Sequence, residues 1–154
     1  DIELVFREMA EQVAIRLRRK KKKSQLVSIH ASYSKIEGLP SIHCQQKIEP
    51  TQSTKVLSDT VLRLFRSKYE GGAIRQIGVF YGELVEESLQ LFSLFDDPVA
   101  LEKEEKLQQT IDRIRDQFGF TSLQKGSSLL ENSRAIARSK LTGGHSVGGL
   151  DGLT

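Results

Sequence analysis

The chain of 154 residues is long enough for one domain with a buried core, or for one domain with an appendage. Its single cysteine, Cys44, excludes an internal disulfide and favours a reducing, cytoplasmic location. No window approaches the roughly 18 apolar residues of a membrane span, and no secretory signal is visible. Residues 1–75 carry 15 Lys/Arg against 8 Asp/Glu, whereas residues 76–154 carry 8 against 12. We therefore expect only the first half to face a polyanion.

The chain begins at Asp1 without Met, which we interpret as a fragment or processed piece of something longer. Residues 2–19 have helical periodicity, with an apolar stripe at every third or fourth position. The stripe consists of Ile2, Phe6, Met9, Val13 and Leu17. This helix runs into a basic segment, residues 16–23, that contains seven cations in eight positions. Cations suit a helix C-terminus because they meet its exposed carbonyls.

Two alternating segments follow and predict a hairpin of an antiparallel sheet with one covered face. In residues 25–34, Val27, Ile29, Ala31 and Tyr33 share one face. In residues 41–48, Ile42, Cys44 and Ile48 do the same, after a turn at Gly38-Leu-Pro40. The other face would present Ser28, His30, Ser32, Ser34, His43, Gln45 and Lys47.

A second helix is predicted after Pro50, with Ser53 or Thr54 as its cap and the Gly71-Gly72 pair at its end. The segment 74–85 follows as a buried strand, in which Ile77, Val79 and Tyr81 alternate with Gln76, Gly78 and Phe80. The order helix, strand, strand, helix, strand predicts an α+β class, a split βαββαβ arrangement whose first strand would lie upstream of Asp1. Two helices would cover one sheet face. The missing strand would leave an edge prone to homodimerisation by strand addition.

The remaining chain differs in character. Asp96-Asp-Pro98 ends the compact part, and residues 99–118 predict a charged helix. Its apolar stripe is Leu101, Leu107, Ile111, Ile114 and Phe118. One more short helix is expected within 126–140, and residues 143–154 have too little apolar content to fold alone. We expect a domain at 1–87, a linker at 88–98, a helical extension at 99–142 and a flexible tail at 143–154.

These segments resemble, in order, the little-finger domain of Y-family translesion DNA polymerases, the group of DNA polymerase IV and the ImpB/MucB/SamB proteins. Residues 4–18 are similar to the first little-finger helix and residues 25–34 to its next strand. Ile-Arg-Gln-Ile-Gly-Val at 74–79 is similar to the last strand. Residues 111–120, 127–130 and 137–145 resemble the C-terminal extension of the UvrX-like, UV-damage-repair branch. The resemblance covers nearly the whole chain.

The resemblance implies a domain that lies against primer–template duplex without sequence preference, in a parent that acts in DNA damage repair and the SOS response. The parent would make phosphodiester bonds with magnesium and dNTPs in a palm that this fragment does not contain, so no catalytic residue and no cofactor are expected here. The expected DNA contacts are the open-face residues Ser28, His30, Ser32, His43, Gln45 and Lys47, together with Arg18, Arg19, Lys20, Lys21, Lys22, Arg75 and Gln76.

The last strand departs from the family pattern, which often places basic residues on both sides of the Ile-Gly-Val core. Arg75 is retained, but Gln76 and Phe80 occupy positions where cations are expected. DNA affinity would then be weaker, or would depend more on the basic segment at 16–23. Phosphate contacts of that segment would make binding steeply salt-dependent.

Residues 90–95, Gln-Leu-Phe-Ser-Leu-Phe, resemble the sliding-clamp-binding motif of bacterial polymerases, Gln-Leu-x-Leu-Phe, with one extra residue. A glutamine amide can fix a peptide at a pocket rim, while a Leu/Phe pair fills an apolar hole. The predicted clamp-binding residues are Gln90, Leu91, Leu94 and Phe95. The alternative is a short apolar piece that packs on its own domain.

No metal site is predicted, because His43 and Cys44 point to opposite sides of a strand and no Cys-x-x-Cys or His-x-x-x-His spacing exists. Two other functions compete with duplex binding. A related module could bind RNA through the same face, although such sheets usually carry stacking aromatics on adjacent strands and only Phe80 is obviously outward here. A protein-interaction domain is the third possibility. An ordinary solvated face is the plain alternative for the polar strands, and a solvated helix end for the basic segment.

Overall fold

The computed structural model describes residues 2–88 and 97–140. It confirms the predicted α+β class and the order helix, strand, strand, helix, strand, followed by helices. The elements are α1 (Ile2–Arg19), β1 (Lys22–Tyr33), β2 (Ile42–Thr51), α2 (Thr54–Lys68), β3 (Ile74–Glu86), α3 (Pro98–Phe118) and α4 (Ala135–Ser139), with 3-10 turns at Phe120–Ser122 and Gly126–Leu129.

The chain divides into two compact units. Among the described residues, one unit contains residues 2 and 6–88, and the other contains residues 3–5 and 97–140. The first unit is the helix-covered sheet, and the second is the helical extension. The finer division at 87, 98 and 142 stays a prediction.

The sheet has three strands in the order β2-β1-β3, and both pairings are antiparallel. β1 therefore lies in the centre, with β2 and β3 at the edges. Within the described ranges no strand pairs with the outer side of β3. A first strand upstream of Asp1 and a homodimer formed through this edge both stay predictions.

The core lies on one face of the sheet. Alternate residues of β1, namely Val27, Ile29 and Ala31, are at most 2% exposed. They pack against α1 and α2, whose buried apolar residues belong to the same cluster. At about 25 cal/mol per Å², burial of such side chains is the main contribution to folding. Because both helices pack on this face, the other face of the sheet stays open.

The buried stripe of α1 differs from the predicted one. The structure buries Phe6, Ala10, Ala14 and Leu17, whereas Met9 is only half-buried. The reason is close packing: the Tyr81 hydroxyl, from the sheet, donates a hydrogen bond to the Ala10 carbonyl at 3.0 Å. An alanine at this position allows that approach, which a longer side chain would hinder.

The structure shows which of the two predicted N-cap residues begins α2. Ser53 is the N-cap, and its hydroxyl accepts a hydrogen bond from the Val56 N–H at 3.3 Å. Such a cap is worth about 1 kcal/mol. Gly71 and Gly72 follow the helix with φ of 102° and 107°, a region that favours glycine. The sequence signals at both ends of this helix were therefore informative.

In the second unit, the turn after α3 is organised by Arg115, which is 6% exposed. Its Nε donates to the Leu123 carbonyl at 2.9 Å, and its guanidinium carbon lies 4.6 Å from the centre of the Phe120 ring. The apolar stripe predicted for α3 is only partly buried, because Leu107 and Phe118 are 62% and 68% exposed. Among the described residues, no helix has the length and apolar character needed to cross a membrane.

Replacement of Tyr81 by Phe tests the link between the sheet and α1. Loss of the hydrogen bond to Ala10 is expected to lower the free energy of unfolding by about 1 kcal/mol at pH 7. Burial raises the pKa of Tyr81 far above its ordinary value of 10.0, against a smaller opposing effect of the Arg18 charge. The hydroxyl thus stays protonated in the folded state while it ionises in the unfolded chain, so its contribution is lost as the pH rises above 10.

Urea denaturation of the unmodified chain and of the Tyr81→Phe variant, at pH 7 and at about pH 10.5, measures both the loss of stability and its dependence on pH. The stability difference should narrow at the higher pH, and Tyr33→Phe serves as a control for the loss of another partly buried hydroxyl. A difference that stays constant across this range would contradict the assignment.

Candidate nucleic-acid interface

The strand registers bring the predicted polar side chains together on the open side of the sheet. Ser28 faces Gln45 across the β1–β2 ladder, and His30 faces His43. On the other side of β1, Ser32 faces Gln76. We call this surface the open face. Its members are Leu26, Ser28, His30, Ser32, His43, Gln45, Lys47, Gln76, Gly78, Phe80 and Gly82.

Two histidines form the centre of one row. The ring centroids of His30 and His43 lie 4.6 Å apart with the planes tilted by 47°. Gly78 occupies the third position of this row, opposite His30. The row therefore presents two adjacent imidazoles, which can donate hydrogen bonds, beside a position without a side chain.

The next row carries an exposed aromatic ring. Phe80 faces Ser28 and is 62% exposed. A Cβ built on Gly82 would lie 2.9 Å from the Phe80 Cε1 atom and 3.3 Å from the Leu26 Cδ2 atom. The ring thus extends over Gly82 and beside Leu26, in space that a side chain at 82 would occupy.

The one lysine of the open face has an acidic neighbour. The Lys47 ammonium lies 3.7 Å from the Glu83 carboxylate, and Glu83 adopts a φ of 50° next to Gly82. Ser24 stabilises this irregular part of the sheet, because its hydroxyl lies 2.8 Å from both the Leu26 and the Gly82 carbonyl oxygens. The Glu83 carboxylate offsets part of the positive charge that Lys47 brings to the surface.

The predicted basic residues at the end of α1 have different environments. Arg18 donates to the Gln52 carbonyl at 2.9 Å and to the Thr54 hydroxyl at 2.8 Å, which fixes the connection between β2 and α2. Lys22 is paired with Glu86 across the sheet. Lys20 and Lys21 are exposed at the turn between α1 and β1, and Arg19 is half-buried. The turn, which we call the basic turn (residues 19–22), thus presents mainly Lys20 and Lys21 to solvent.

Arg75 lies outside the regular alternation. It sits at the register irregularity between the Tyr33–Ile74 and Ser32–Gln76 pairs, where its side chain is exposed. The predicted clamp-binding residues Gln90, Leu91, Leu94 and Phe95 lie outside the described residues. In the described ranges, no group of three or more His, Cys, Asp or Glu side chains is arranged to hold a metal ion.

The site residues predicted from the sequence do not include the apolar part of the open face. The sequence predicts an outward Phe80 without assigning it a role, and Leu26 and Gly82 are not among the predicted site residues. The pattern Gly78-x-Phe80-x-Gly82 was the available signal, because alternate residues of a strand share one face. Leu26 follows the same rule, because it lies two residues before Ser28 in the regular part of β1.

The first unit is thus an α+β domain. Two helices cover one face of its antiparallel sheet, and the other face is open and polar. Residues 1–94 match the model of the impB/mucB/samB family C-terminal domain. The chain therefore belongs to the impB/mucB/samB family, and the resemblance found in the sequence is confirmed.

Curated relatives extend the similarity beyond that domain. The chain is 32% identical to the putative UV-damage repair protein UvrX of Bacillus subtilis (strain 168), over 94% of this chain and 35% of that protein. It is 30% identical to DNA polymerase IV 2 of the same organism and to DNA polymerase IV 2 of Halalkalibacterium halodurans, with the same coverage. The chain spans about a third of the length of these relatives. No solved structure matches it significantly.

Alanine substitutions at two glycines test the position of the Phe80 ring. Gly82→Ala should displace the ring, because the new Cβ would contact it at 2.9 Å, while the fold survives since the ring is the exposed end of a side chain. Gly78→Ala is the matched control, because its Cβ would meet only the His30 Cβ at 3.8 Å. NMR shifts of the Phe80 ring protons should change in the first variant and not in the second. Equal changes in both would contradict the described ring position.

Proposed function

We propose that this chain is the DNA-binding C-terminal portion of a Y-family, lesion-bypass DNA polymerase. In this proposal the open face contacts primer–template duplex without sequence preference. The single observation that carries it is the convergence of Ser28, His30, His43 and Gln45 on the side of the sheet opposite the helices, in a member of this family. Small polar side chains and imidazoles suit phosphate and sugar contacts, which position a protein without reading base sequence.

The basic turn would extend this surface along the DNA. β1 runs from the turn to the open face, and Ser28 lies six residues beyond Lys22. At about 3.3 Å per residue the two are roughly 20 Å apart along the strand. That distance corresponds to about six nucleotide steps of a DNA strand. Lys20 and Lys21 could therefore neutralise phosphates on the same duplex that the open face contacts.

The parent protein is proposed to act in the repair of damaged DNA, because its relatives include proteins named DNA polymerase IV and UV-damage repair protein. Its nucleotidyl transfer would use magnesium and dNTPs bound in parts of the polypeptide other than this C-terminal domain. The role of the present chain is then positional: it would hold the duplex while another domain performs the chemistry.

The segment 90–95 is proposed to tether the polymerase to the bacterial sliding clamp. Its support is the motif itself, which lies between the end of β3 at Glu86 and the start of α3 at Pro98. A short linear peptide of this kind can enter a partner's pocket. A tether raises the effective concentration of the polymerase at the primer terminus without any new contact to DNA.

The duplex proposal is tested by removing charge from the basic turn. The double variant Lys20→Gln/Lys21→Gln should weaken binding to a fluorescent primer–template duplex and reduce the salt slope of log K by up to about 2, since each neutralised phosphate contributes about 0.9. The matched control is Lys55→Gln/Lys68→Gln, which changes the net charge equally on the exposed side of α2. Equal losses in the two double variants would show a nonspecific charge effect and overturn the assigned surface.

The tether is tested separately with purified bacterial sliding clamp. Phe95→Ala and Leu94→Ala should each reduce clamp affinity by about 10-fold or more, because such side chains typically act as hot spots worth at least about 2 kcal/mol. Ser93→Ala, within the same segment but outside the predicted set, should bind normally. Surface plasmon resonance measures all three. Clamp binding that survives both apolar truncations would refute the motif assignment.

A further inference from the structure

The open face carries one feature that phosphate binding does not use. Phe80 is 62% exposed near the middle of β3, on a sheet that packs its helices on the other side. Its neighbours on the same face of the strand are Gly78 and Gly82, so no side chain of β3 covers the ring on either side. An exposed aromatic ring between two glycines is accessible to a flat ligand.

Hydrogen-bonding groups lie beside this ring. Ser28 faces Phe80 in the register, and Gln45 faces Ser28 on the far strand. The row therefore runs from an amide through a hydroxyl to an aromatic ring. The amide offers both donors and an acceptor, and the hydroxyl offers one of each. A nucleobase has the matching properties, a π-face for stacking and a polar edge for hydrogen bonds.

Around the Phe80 ring itself, the charge of this surface favours stacking over phosphate binding. Lys47 lies 3.7 Å from the Glu83 carboxylate, which reduces its attraction for phosphate. Stacking of a base on an aromatic side chain requires no cation and tolerates any base. Stacking suits this open face, because Gln76 and Phe80 occupy positions where the family pattern places cations.

We propose that Phe80 stacks on an unpaired nucleobase of single-stranded DNA, with Ser28 and Gln45 bonding the edge of that base. In a primer–template substrate this base would belong to the template overhang next to the duplex. The inference rests on the proposed function, because it places the unpaired base on the same face that contacts the duplex. The apolar part of this surface consists of Phe80 and, in the adjacent row, Leu26. It is bordered by polar Ser28, Gln45 and Lys47, which fits one base better than an apolar protein surface.

The chain contains no Trp, so Phe80→Trp introduces a unique fluorophore at the proposed stacking position. Its emission should be quenched by an oligothymidine single strand and by a primer–template with an overhang, and much less by a blunt duplex. An overhang made of abasic residues should not quench it. Phe80→Ala should weaken single-strand binding by about 5- to 140-fold without changing the salt slope, because base stacking contributes about 1–3 kcal/mol per base.

Three variants separate stacking from a change in the fold. Phe80→Tyr keeps an aromatic ring and should retain affinity. Gly82→Ala keeps Phe80 but displaces its ring, so it should lose affinity. Val56→Ala removes a 41% exposed apolar side chain from α2 and should have no effect.

The outcomes distinguish this inference from the function on which it rests. If the blunt duplex binds with a steep salt dependence while the Phe80→Ala variant binds single strands as tightly as the unmodified chain, the stacking proposal is overturned and the proposed function stands. If no DNA binds the folded chain, both fail. If Phe80→Ala changes only self-association in sedimentation experiments, the ring is a protein contact and the stacking proposal is overturned.

Discussion

The one-sided packing of the sheet is the constraint on which the rest of the structure depends. Val27, Ile29 and Ala31 of β1 are buried beneath α1 and α2, so the alternate residues of the same strand must point away from the core. A shift of one residue in register would exchange the two faces, burying His30 and exposing Ile29. Burial of apolar surface thus selects both the fold and the side chains of the open face.

Individual residues then adapt this surface. Regular alternation with Ser28 places the apolar side chain of Leu26 on the polar side, and Glu83 with its φ of 50° brings an acid close to Lys47. Gly82 leaves room for the Phe80 ring. The resulting surface combines an apolar part, a hydrogen-bonding part and little net charge. In the proposed function, the exposed Lys20 and Lys21 of the basic turn add a separate, electrostatic contribution to nucleic-acid binding.

The sequence predicted most of this fold, because its regular elements obey simple periodicities. The alternation in 25–34 and 41–48 placed Ser28, His30, His43 and Gln45 on one face, and the registers confirm it. Two features could not be predicted. The depth of Ala10 and Ala14 in α1 depends on how closely the helix approaches the sheet, which no residue pattern specifies. The use of Arg18 in a tertiary contact, through its bonds to Gln52 and Thr54, was hidden within a run of similar cations.

We propose that the open face, and not the helical side, binds DNA. An NMR titration of the ¹⁵N-labelled chain with a primer–template duplex tests it most directly. We expect amide shifts to concentrate at Ser28, His30, Gln45 and the basic turn, while the exposed residues of α2 such as Lys55 and Arg63 remain unchanged. Shifts concentrated on α2, with an unperturbed open face, would contradict it.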